Sequence, residues 1–383
     1  MAQPRDFGFG DDERMVRDSA RKFLGENAPI EKIRRLVARD HREAYETASP
    51  PLAHDEQLWK QIVVLGWTGL AVPVEQGGAG MKMVAVAALA EEIGRAALPS
   101  PLISTLCTTC VLRAAGSPGA GAALERIANG ESATLAISNA EGSWEAEDTD
   151  VAAKAAGDGV VLNGTAWFVQ DARKASFFLV SARGDKGVGL YAVRADAAGL
   201  TLHADHIVDL TRDQAHLELR DVRIGAGDVV SSAGAGARAL TAATPALLTI
   251  VAADMCGAAE WLLQTTVEYA KVRKQFEHPI GFFQGVKFPL VNVMVAVDEA
   301  RSLVYNAACA IDSEPAHAER FARMAKASAS DMATFAAGRA VQLHGGIGFT
   351  WECDVHIYFK REQHNAALYG DGSYQRAKIA ELV

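Results

Sequence analysis

The sequence predicts an N-terminal α-helical domain (residues 1–130), a central antiparallel β-barrel or β-sandwich domain (131–233) and a C-terminal four-helix-bundle domain (234–383). Three observations support this order. Apolar residues recur every three to four positions over the first part of the chain, the period shortens to about two in the middle, and long helical patterns then return. The length of 383 residues suits two or three domains of roughly 100–200 residues each.

The N-terminal part is predicted to be helical because its apolar residues share one helix face. Met15, Ala20 and Phe23 follow this stride behind the acidic start Asp11-Asp12-Glu13, and acidic residues favour a helix N-terminus. Gly77-Gly78 interrupts the pattern before an alanine-rich helical segment.

The central part is predicted to form strands. Val160-Val161-Leu162 and Ala166-Trp167-Phe168-Val169 flank Asn163-Gly164. Asn-Gly between apolar runs is the strongest short hairpin signal, because a type I′ turn needs positive φ. The sequence therefore predicts two strands joined by a turn at Asn163-Gly164.

The C-terminal part carries three long amphipathic patterns, which contain Met255, Leu290 and Phe321 in turn. A glycine- and alanine-rich stretch, residues 225–236, precedes them, and Gly345-Gly346 ends the third. Long helices with short connections predict a bundle.

Composition and charge exclude several classes of protein. Lys and Arg number 38 against 47 Asp and Glu, a formal charge of −9, which argues against a general nucleic-acid surface. No apolar run reaches the ~18 residues of a membrane span, and the longest, Pro245 to Ala259, contains Asp254. The N-terminus lacks the apolar core of a signal peptide, and histidines do not show metal-ligand spacing. We expect a cytoplasmic protein without a membrane or metal site.

Three motifs, in order along the chain, resemble those of the acyl-CoA dehydrogenase family, and the likeness runs from about Phe7 to the C-terminus. They are Leu70-Ala71-Val72-Pro73 with Gly77-Gly78-Ala79-Gly80, then Arg273-Lys274-Gln275-Phe276 with Pro279-Ile280 and Phe283-Gln284, then Gln342-Leu343-His344-Gly345-Gly346-Ile347-Gly348-Phe349. The resemblance implies FAD as cofactor and an oligomer in which one subunit completes the FAD site of another. A dimer of dimers, of like or unlike chains, is expected.

The resemblance also implies which residues hold the FAD of a neighbouring subunit. They are Arg273, Phe276, Gln284, Gln342, Gly345 and Gly346. An arginine can give a permanently charged, bidentate contact to a pyrophosphate, and glycines let a backbone approach a phosphate closely.

Three residues of the central domain match family positions beside the flavin ring. Ser138 matches a hydroxyl donor, Phe168 stands where a Trp is usual, and Gln170 stands where a hydroxyl residue is usual near flavin N5. Phe can pack and Gln can donate a hydrogen bond, so both are predicted to contact the flavin.

The catalytic base is predicted to be Asp371. Aligning Gly372-Ser373 with the family's Gly-Thr pair places Asp371 at the base and Ser373 beside the cofactor, whereas aligning from Tyr369 places Gly370 at the base. A carboxylate between glycines can be positioned by a permissive loop. The other family position for a base falls near Leu247, and the substrate-side arginine falls at Leu248.

The implied reaction is α,β-dehydrogenation of an acyl-CoA thioester, in which Asp371 takes the α-proton. The Gly-Asp-Gly loop resembles members that act on bulky, steroid-derived acyl groups, and an electron-transfer flavoprotein is the expected electron acceptor. Two alternatives stay open: a non-catalytic partner subunit of a heteromeric enzyme, and a flavin oxidase or monooxygenase on the same fold.

Overall fold

The computed structural model describes residues 5–37, 50, 52–157 and 159–382. The first four residues, on which the expectation about a signal peptide partly rests, lie outside this description. Six α-helices precede the first strand in the described residues: α1 (Asp11–Asn27), α2 (Ile30–Val37), α3 (Glu56–Val64), α4 (Met83–Arg95), α5 (Leu102–Ala115) and α6 (Pro118–Ala128).

The central part is one eight-stranded sheet. Its strands are β1 (Ala133–Ala136), β2 (Val151–Ala156), β3 (Gly159–Gln170), β4 (Phe177–Gly184), β5 (Gly187–Arg194), β6 (Leu200–Ala204), β7 (Gln214–Ile224) and β8 (Val229–Ser231). The order is β6-β7-β3-β2-β4-β5-β8, with β1 paired to β4. Most pairings are antiparallel, but β4 pairs in parallel with β1 and, at one position, with β2.

The predicted hairpin at Asn163-Gly164 is wrong. Residues 159–170 form the single strand β3, and its register against β7 shifts between Leu162 and Gly164. Gly164 has φ of +133°, and a Cβ there would lie 2.2 Å from the carbonyl oxygen of Asp150. Gly164 therefore forms a β-bulge, and the backbone at the start of β2 packs closely against it. A glycine in such a bulge gives the same sequence signal as a glycine in a turn.

Five helices follow the sheet within the described chain: α7 (Gly236–Val272), α8 (Gln284–Ser313), α9 (Pro315–His344), α10 (Val355–Ala367) and α11 (Gly372–Ala380). A two-residue-per-strand hairpin, β9 (Lys274–Gln275) and β10 (His278–Pro279), joins α7 to α8. Helix α9 ends at His344, where Gly345 takes φ of +64°, as the Gly345-Gly346 signal predicts.

Helices before and after the sheet share one hydrophobic core, which includes Leu24, Leu89, Leu106, Val251 and Val304. The sheet has a second core of its own. The three-part fold class predicted from the sequence is confirmed.

Helix α7 crosses α4 closely because each helix has a glycine where it contacts the backbone of the other. A Cβ at Gly257 would lie 1.8 Å from the Glu91 carbonyl oxygen, and one at Gly94 would lie 1.9 Å from the Asp254 carbonyl oxygen. Helix α7 is long and apolar enough to span a membrane, yet 83% of its most apolar 18-residue stretch is buried inside the protein. It forms the central helix of the core.

Candidate functional site

Three cavities meet at Tyr369, in the turn between α10 and α11. The largest is about 220 Å³ and lies between the sheet domain and helices α7, α9 and α11. Two others of about 10 Å³ each, roughly the room of one water molecule, lie beside β3 and α5. Tyr369 lines all three, so this side chain occupies the centre of the candidate site.

The turn that carries Tyr369 is unusual because two successive residues have positive φ. Tyr369 has φ of +57° and Gly370 has φ of +91°. The Tyr369 ring packs edge-on against Trp144 at 5.2 Å between centroids. A Cβ at Gly370 would lie 2.2 Å from the Tyr374 ring. Only glycine fits at position 370 while the ring stays in place.

The buried Lys326 side chain of α9 forms hydrogen bonds to the backbone at this turn. Its Nζ atom donates to the Ser330 hydroxyl and to the carbonyl oxygens of Ala366 and Gly370, each at 3.0 Å. Burial lowers the pKa of Lys326 to about 7, against the opposing effect of the Asp371 and Glu362 carboxyls. The Lys326 amino group thus connects α9 to the last turn of α10 and to the turn beyond it.

Ser138 and Phe168 lie together against one of the small cavities. Ser138 is buried and donates its hydroxyl to the Ser143 carbonyl oxygen at 3.1 Å. Phe168 takes φ of +54° where the β3–β7 register shifts a second time. A β-bulge with a non-glycine residue at positive φ is typical of functional sites, because it turns a side chain toward a ligand.

Gln170, at the end of β3, is held from three sides. Its Nε2 atom donates to the Phe168 carbonyl oxygen at 3.1 Å and to Gln214 Oε1 at 2.9 Å. Its Oε1 atom lies 2.6 Å from Nε2 of His364 on α10. Burial lowers the pKa of His364, which favours the neutral ring.

Asp371 lies at the N-terminus of α11, and its side chain is exposed. Its Oδ1 atom accepts a hydrogen bond from the Tyr374 backbone N–H at 2.8 Å, as a helix N-cap does. Asp371 does not line any of the three cavities at Tyr369. Ser373, two residues on, is also exposed.

Helix α7 contributes the apolar side chains Leu247 and Leu248 to the cavity of about 220 Å³. These are the positions at which the sequence resemblance implies a base or an arginine in some family members. The charged residues around this cavity are paired. Glu145 accepts from the Tyr374 hydroxyl at 2.8 Å and lies 2.6 Å from Lys378 Nζ. The hydrogen bond to Lys378 lowers the pKa of Glu145, and the hydrogen bond to Tyr374 has a smaller effect in the same direction. Glu145 is therefore a weak base.

The other predicted cofactor residues lie on exposed surface at the far end of α7 and the start of α8. Phe276 and Glu277 form the two-residue loop of the β9–β10 hairpin, both with positive φ, as a type I′ turn requires. Phe276 is 84% exposed. Arg273 and Gln284 are exposed as well, and among the described residues their side chains do not have a hydrogen-bond or ion-pair partner.

The segment from Gln342 to Gly346 lies at the end of α9 and is exposed at Gln342, Gly345 and Gly346, half-buried at Leu343 and buried at His344. The Gln342 side chain is likewise unpaired within the described chain. A Cβ at Gly345 or Gly346 would not meet another atom within 4 Å. Gly345 needs its positive φ, whereas packing within the described residues does not explain Gly346.

Apart from Asp371 and Ser373, which are exposed at the N-terminus of α11, the predicted site residues fall into two groups. Ser138, Phe168 and Gln170 come together with Tyr369, while Arg273, Phe276, Gln284 and the Gln342–Gly346 segment lie on exposed surface. Sequence reasoning missed Tyr369, His364 and Gln214 as members of the site. The one available signal was the Tyr369-Gly370 pair, since glycine directly after an aromatic residue marks a turn.

Comparisons with known proteins identify the family of this chain. The acyl-CoA dehydrogenase N-terminal domain matches residues 10–131, and the C-terminal domain matches residues 234–383. The chain is 30% identical over 359 residues to acyl-CoA dehydrogenase IpdE2 of Mycobacterium tuberculosis. The aligned region covers 94% of this chain and 93% of IpdE2. This chain belongs to the acyl-CoA dehydrogenase family.

Solved structures of family members agree with this assignment. The chain resembles a variant of the Tcur3481-Tcur3483 steroid ACAD with a TM-score of 0.85 and 27% identity, over 98% of each chain. It resembles the ChsE4-ChsE5 complex from Mycobacterium tuberculosis with a TM-score of 0.85 and 25% identity, again over 98% of each chain. The resemblance predicted from the three sequence motifs is confirmed.

The cofactor of this family of oxidoreductases is FAD, and the residues present suit it. FAD carries an anionic pyrophosphate, and Arg273 offers an exposed guanidinium without a partner among the described residues. Phe168 offers an aromatic face beside hydrogen-bonding groups. Charge-assisted bonds from arginine and aromatic packing are the contacts that a flavin dinucleotide requires.

Proposed function

We propose that this chain takes part in the FAD-dependent α,β-dehydrogenation of an acyl-CoA thioester with a bulky, steroid-derived acyl group. In this proposal, FAD lies between subunits of an oligomer, and an electron-transfer flavoprotein accepts the electrons. The observation that carries the proposal is the separation of the two residue groups. One group surrounds Tyr369, and the other is exposed with unpaired side chains that a second subunit can use.

The steroid-derived acyl group is proposed because this chain is similar to a protein named for steroid substrates. The chain is similar over 98% of its length to a protein described as a steroid ACAD. Two of the similar structures are named for two components each, Tcur3481-Tcur3483 and ChsE4-ChsE5. These names favour an assembly of unlike subunits for this chain.

Each residue has a definite task in the proposal. When bound, FAD supplies the acceptor for the hydride. Arg273 neutralises the pyrophosphate, helped by the Gln284 and Gln342 amides, Phe276 and the glycines 345 and 346. Ser138, Phe168 and Gln170 position the ring, and Asp371 accepts the substrate α-proton. Its Oδ1 atom caps the Tyr374 N–H, which leaves Oδ2 to accept the proton.

A second candidate, a non-catalytic partner subunit, is favoured by the surroundings of Tyr369. Asp371 is exposed and engaged as a cap, and the Tyr374 ring leaves no room for a side chain at Gly370. The two small cavities beside Gln170 are almost filled by protein side chains. In this case Arg273 and Gln342 complete the FAD site of a catalytic partner, and the base belongs to that partner.

The variant Asp371→Asn tests whether Asp371 is the base, because asparagine caps a helix as well as aspartate does but cannot accept a proton. If Asp371 is the base, the rate of anaerobic flavin reduction by steroid acyl-CoA falls by about 10²–10⁴-fold, while FAD content and folding stay unchanged. Asp55→Asn, at the N-cap of α3, is the matched control. A wild-type rate in Asp371→Asn would show that Asp371 is not the base, which then lies elsewhere in this chain or in a partner chain.

The variant Arg273→Ala tests FAD binding independently of the base. Loss of a charge-assisted bond of about 1.5–3 kcal/mol weakens FAD retention by roughly 10- to 150-fold. Arg238→Ala is the control, because Arg238 is also exposed on α7 and does not have a partner in the described structure. Equal FAD affinity in the two variants would contradict the assignment of Arg273.

A further inference from the structure

We propose that His364 is a positioning residue that holds the Gln170 side-chain amide in one orientation, so that Gln170 presents only its oxygen to the flavin. The inference rests on the proposed place of Gln170 beside the flavin ring. It adds to that proposal a group on α10 and a direction for the amide.

A chain of side-chain hydrogen bonds leads from His364 across the sheet. His364 Nε2 lies 2.6 Å from Gln170 Oε1, and Gln170 Nε2 lies 2.9 Å from Gln214 Oε1. Gln214 Nε2 then lies 3.0 Å from Asp205 Oδ2, and Asp205 Oδ1 lies 3.0 Å from His216 Nδ1. Five residues from α10, β3, β7 and the β6–β7 connection thus form one continuous chain.

The carboxylate of Asp205 sets the direction of every bond in this chain. An ionised carboxylate only accepts hydrogen bonds, so Gln214 must turn its NH₂ group toward Asp205 and its oxygen toward Gln170. Gln170 must then donate to Gln214 and turn its own oxygen toward His364. His364 therefore carries its proton on Nε2, and burial keeps its ring neutral by lowering its pKa.

This arrangement uses both N–H groups of the Gln170 amide. One goes to Gln214 and the other to the Phe168 carbonyl oxygen at 3.1 Å. The oxygen accepts one bond from His364 and retains a second lone pair. Gln170 can therefore accept a hydrogen bond from a ligand, but it cannot donate one without breaking a bond that it already makes.

An acceptor at this place favours the reduced flavin. Oxidised flavin does not carry a hydrogen on N5, whereas reduced flavin carries an N–H there that can donate. Loss of the His364 bond frees the amide to rotate and offer its NH₂ group, which favours the oxidised form. His364 thus acts on the flavin through Gln170, without contacting it.

The test is the reduction potential of the FAD-loaded protein, purified with its partner chain if one is required for FAD binding. His364→Phe keeps a ring but removes the donor, and we expect the equilibrium ratio of reduced to oxidised flavin at fixed potential to fall about tenfold. For a two-electron couple this is about 30 mV. His364→Gln, which can donate from nearly the same place as Nε2, should restore most of the shift. His356→Phe is the matched control, since His356 lies on the same helix and is buried, with its Nε2 unpaired in the described structure.

A second background distinguishes positioning from a general structural effect. In Gln170→Ala protein, His364→Phe should leave the potential unchanged, because the amide through which it acts is gone. An equal shift with and without Gln170 would overturn the inference, and so would a wild-type potential in His364→Phe.

Two further variants keep the outcome clear. Where His364→Phe fails to fold, Gln214→Leu breaks the same chain from the other end and should give a shift of the same sign; an unchanged potential would overturn the inference. If Gln170→Ala alone leaves the potential unchanged, Gln170 is not beside the flavin, and the inference fails with that placement. FAD binding through Arg273 would still stand on its own test.

Discussion

Two charged residues along α7 and at its C-terminal end have opposite surroundings. Asp254, in its middle, is fully buried in a network of four side chains from three parts of the fold. Arg273, directly after its last residue, is exposed and lacks a side-chain partner among the described residues. The buried network is here called the junction, and the surface formed by residues 273–284 and 342–349 is called the open edge.

The junction is a buried network of charge-assisted hydrogen bonds centred on Asp254. Arg361 contacts both oxygens of Asp254, at 3.0 and 2.6 Å, and Arg212 contacts one of them at 3.0 Å. Asn365 donates to Asp254 at 2.7 Å. Burial tends to raise the pKa of Asp254, but the two arginines outweigh it and hold that pKa below its usual range. The junction fixes the sheet domain to the bundle directly behind Tyr369.

The open edge has the opposite character. Large apolar side chains are exposed along it, with Phe276 at 84%, Phe349 at 70% and Phe282 at 58%. Exposed apolar groups on this scale mark interaction surfaces. Contacts within one chain therefore surround Tyr369, whereas the side that carries Arg273 is exposed and, in our proposal, is completed by another subunit.

The largest effect is expected from removing the charge at the centre of the junction. Asp254→Asn leaves Arg361 and Arg212 buried without the carboxylate that both of them contact. We expect the free energy of unfolding, measured by urea titration at pH 7, to fall by about 3–5 kcal/mol. Glu268→Gln on the same helix breaks only the exposed Glu268–Lys271 pair and should cost less than about 1 kcal/mol. Similar losses in the two variants would show that the junction is not a special source of stability.

A smaller effect is expected at Lys326, which supports the Tyr369 turn. Its pKa is about 7 in the folded chain against an ordinary 10.5. Between these values the unfolded chain binds a proton that the folded chain lacks, so the Lys326 contribution to stability rises with pH. Relative to Lys326→Met, the wild type should gain about 2 kcal/mol in unfolding free energy from pH 7 to pH 9.

The measurement is a pair of urea titrations at each pH. A constant difference between wild type and Lys326→Met would reflect only the three lost hydrogen bonds and would contradict the lowered pKa. Lys271→Met, at an exposed position on α7, supplies the background pH dependence.

Much of the fold could be predicted from the sequence because it depends on local patterns. The three-part order follows from hydrophobic periods, and the end of α9 follows from Gly345. The Asn163-Gly164 hairpin prediction was wrong because the positive φ of a glycine suits a bulge as well as a turn. Only the backbone of Asp150 and Val151, packed against Gly164, decides between the two.

The candidate site was less predictable because its contacts join residues that are distant along the chain. His364 and Gln170 are 194 positions apart, and their hydrogen bond follows from the placement of α10 against β3. The sequence predicts Gln170 as a donor to the flavin, and the bonds to Gln214 and Phe168 use up both of its N–H groups. The roles of Asp371, Arg273 and the other site residues stay predictions.

The smallest effect on folding, and the sharpest test of the open edge, is expected from Phe276→Ser. This side chain is 84% exposed, so its loss should change the unfolding free energy of an isolated subunit by less than about 0.5 kcal/mol. If it is an aromatic anchor in a subunit interface, the same change weakens association by at least about 2 kcal/mol, or roughly 30-fold. Light scattering across a dilution series measures that association. Val64→Ser is the matched control, since Val64 on α3 is 86% exposed but lies outside the open edge. Equal association in wild type and both variants would show that Phe276 does not anchor a subunit interface and would contradict its proposed place in an FAD site shared between subunits.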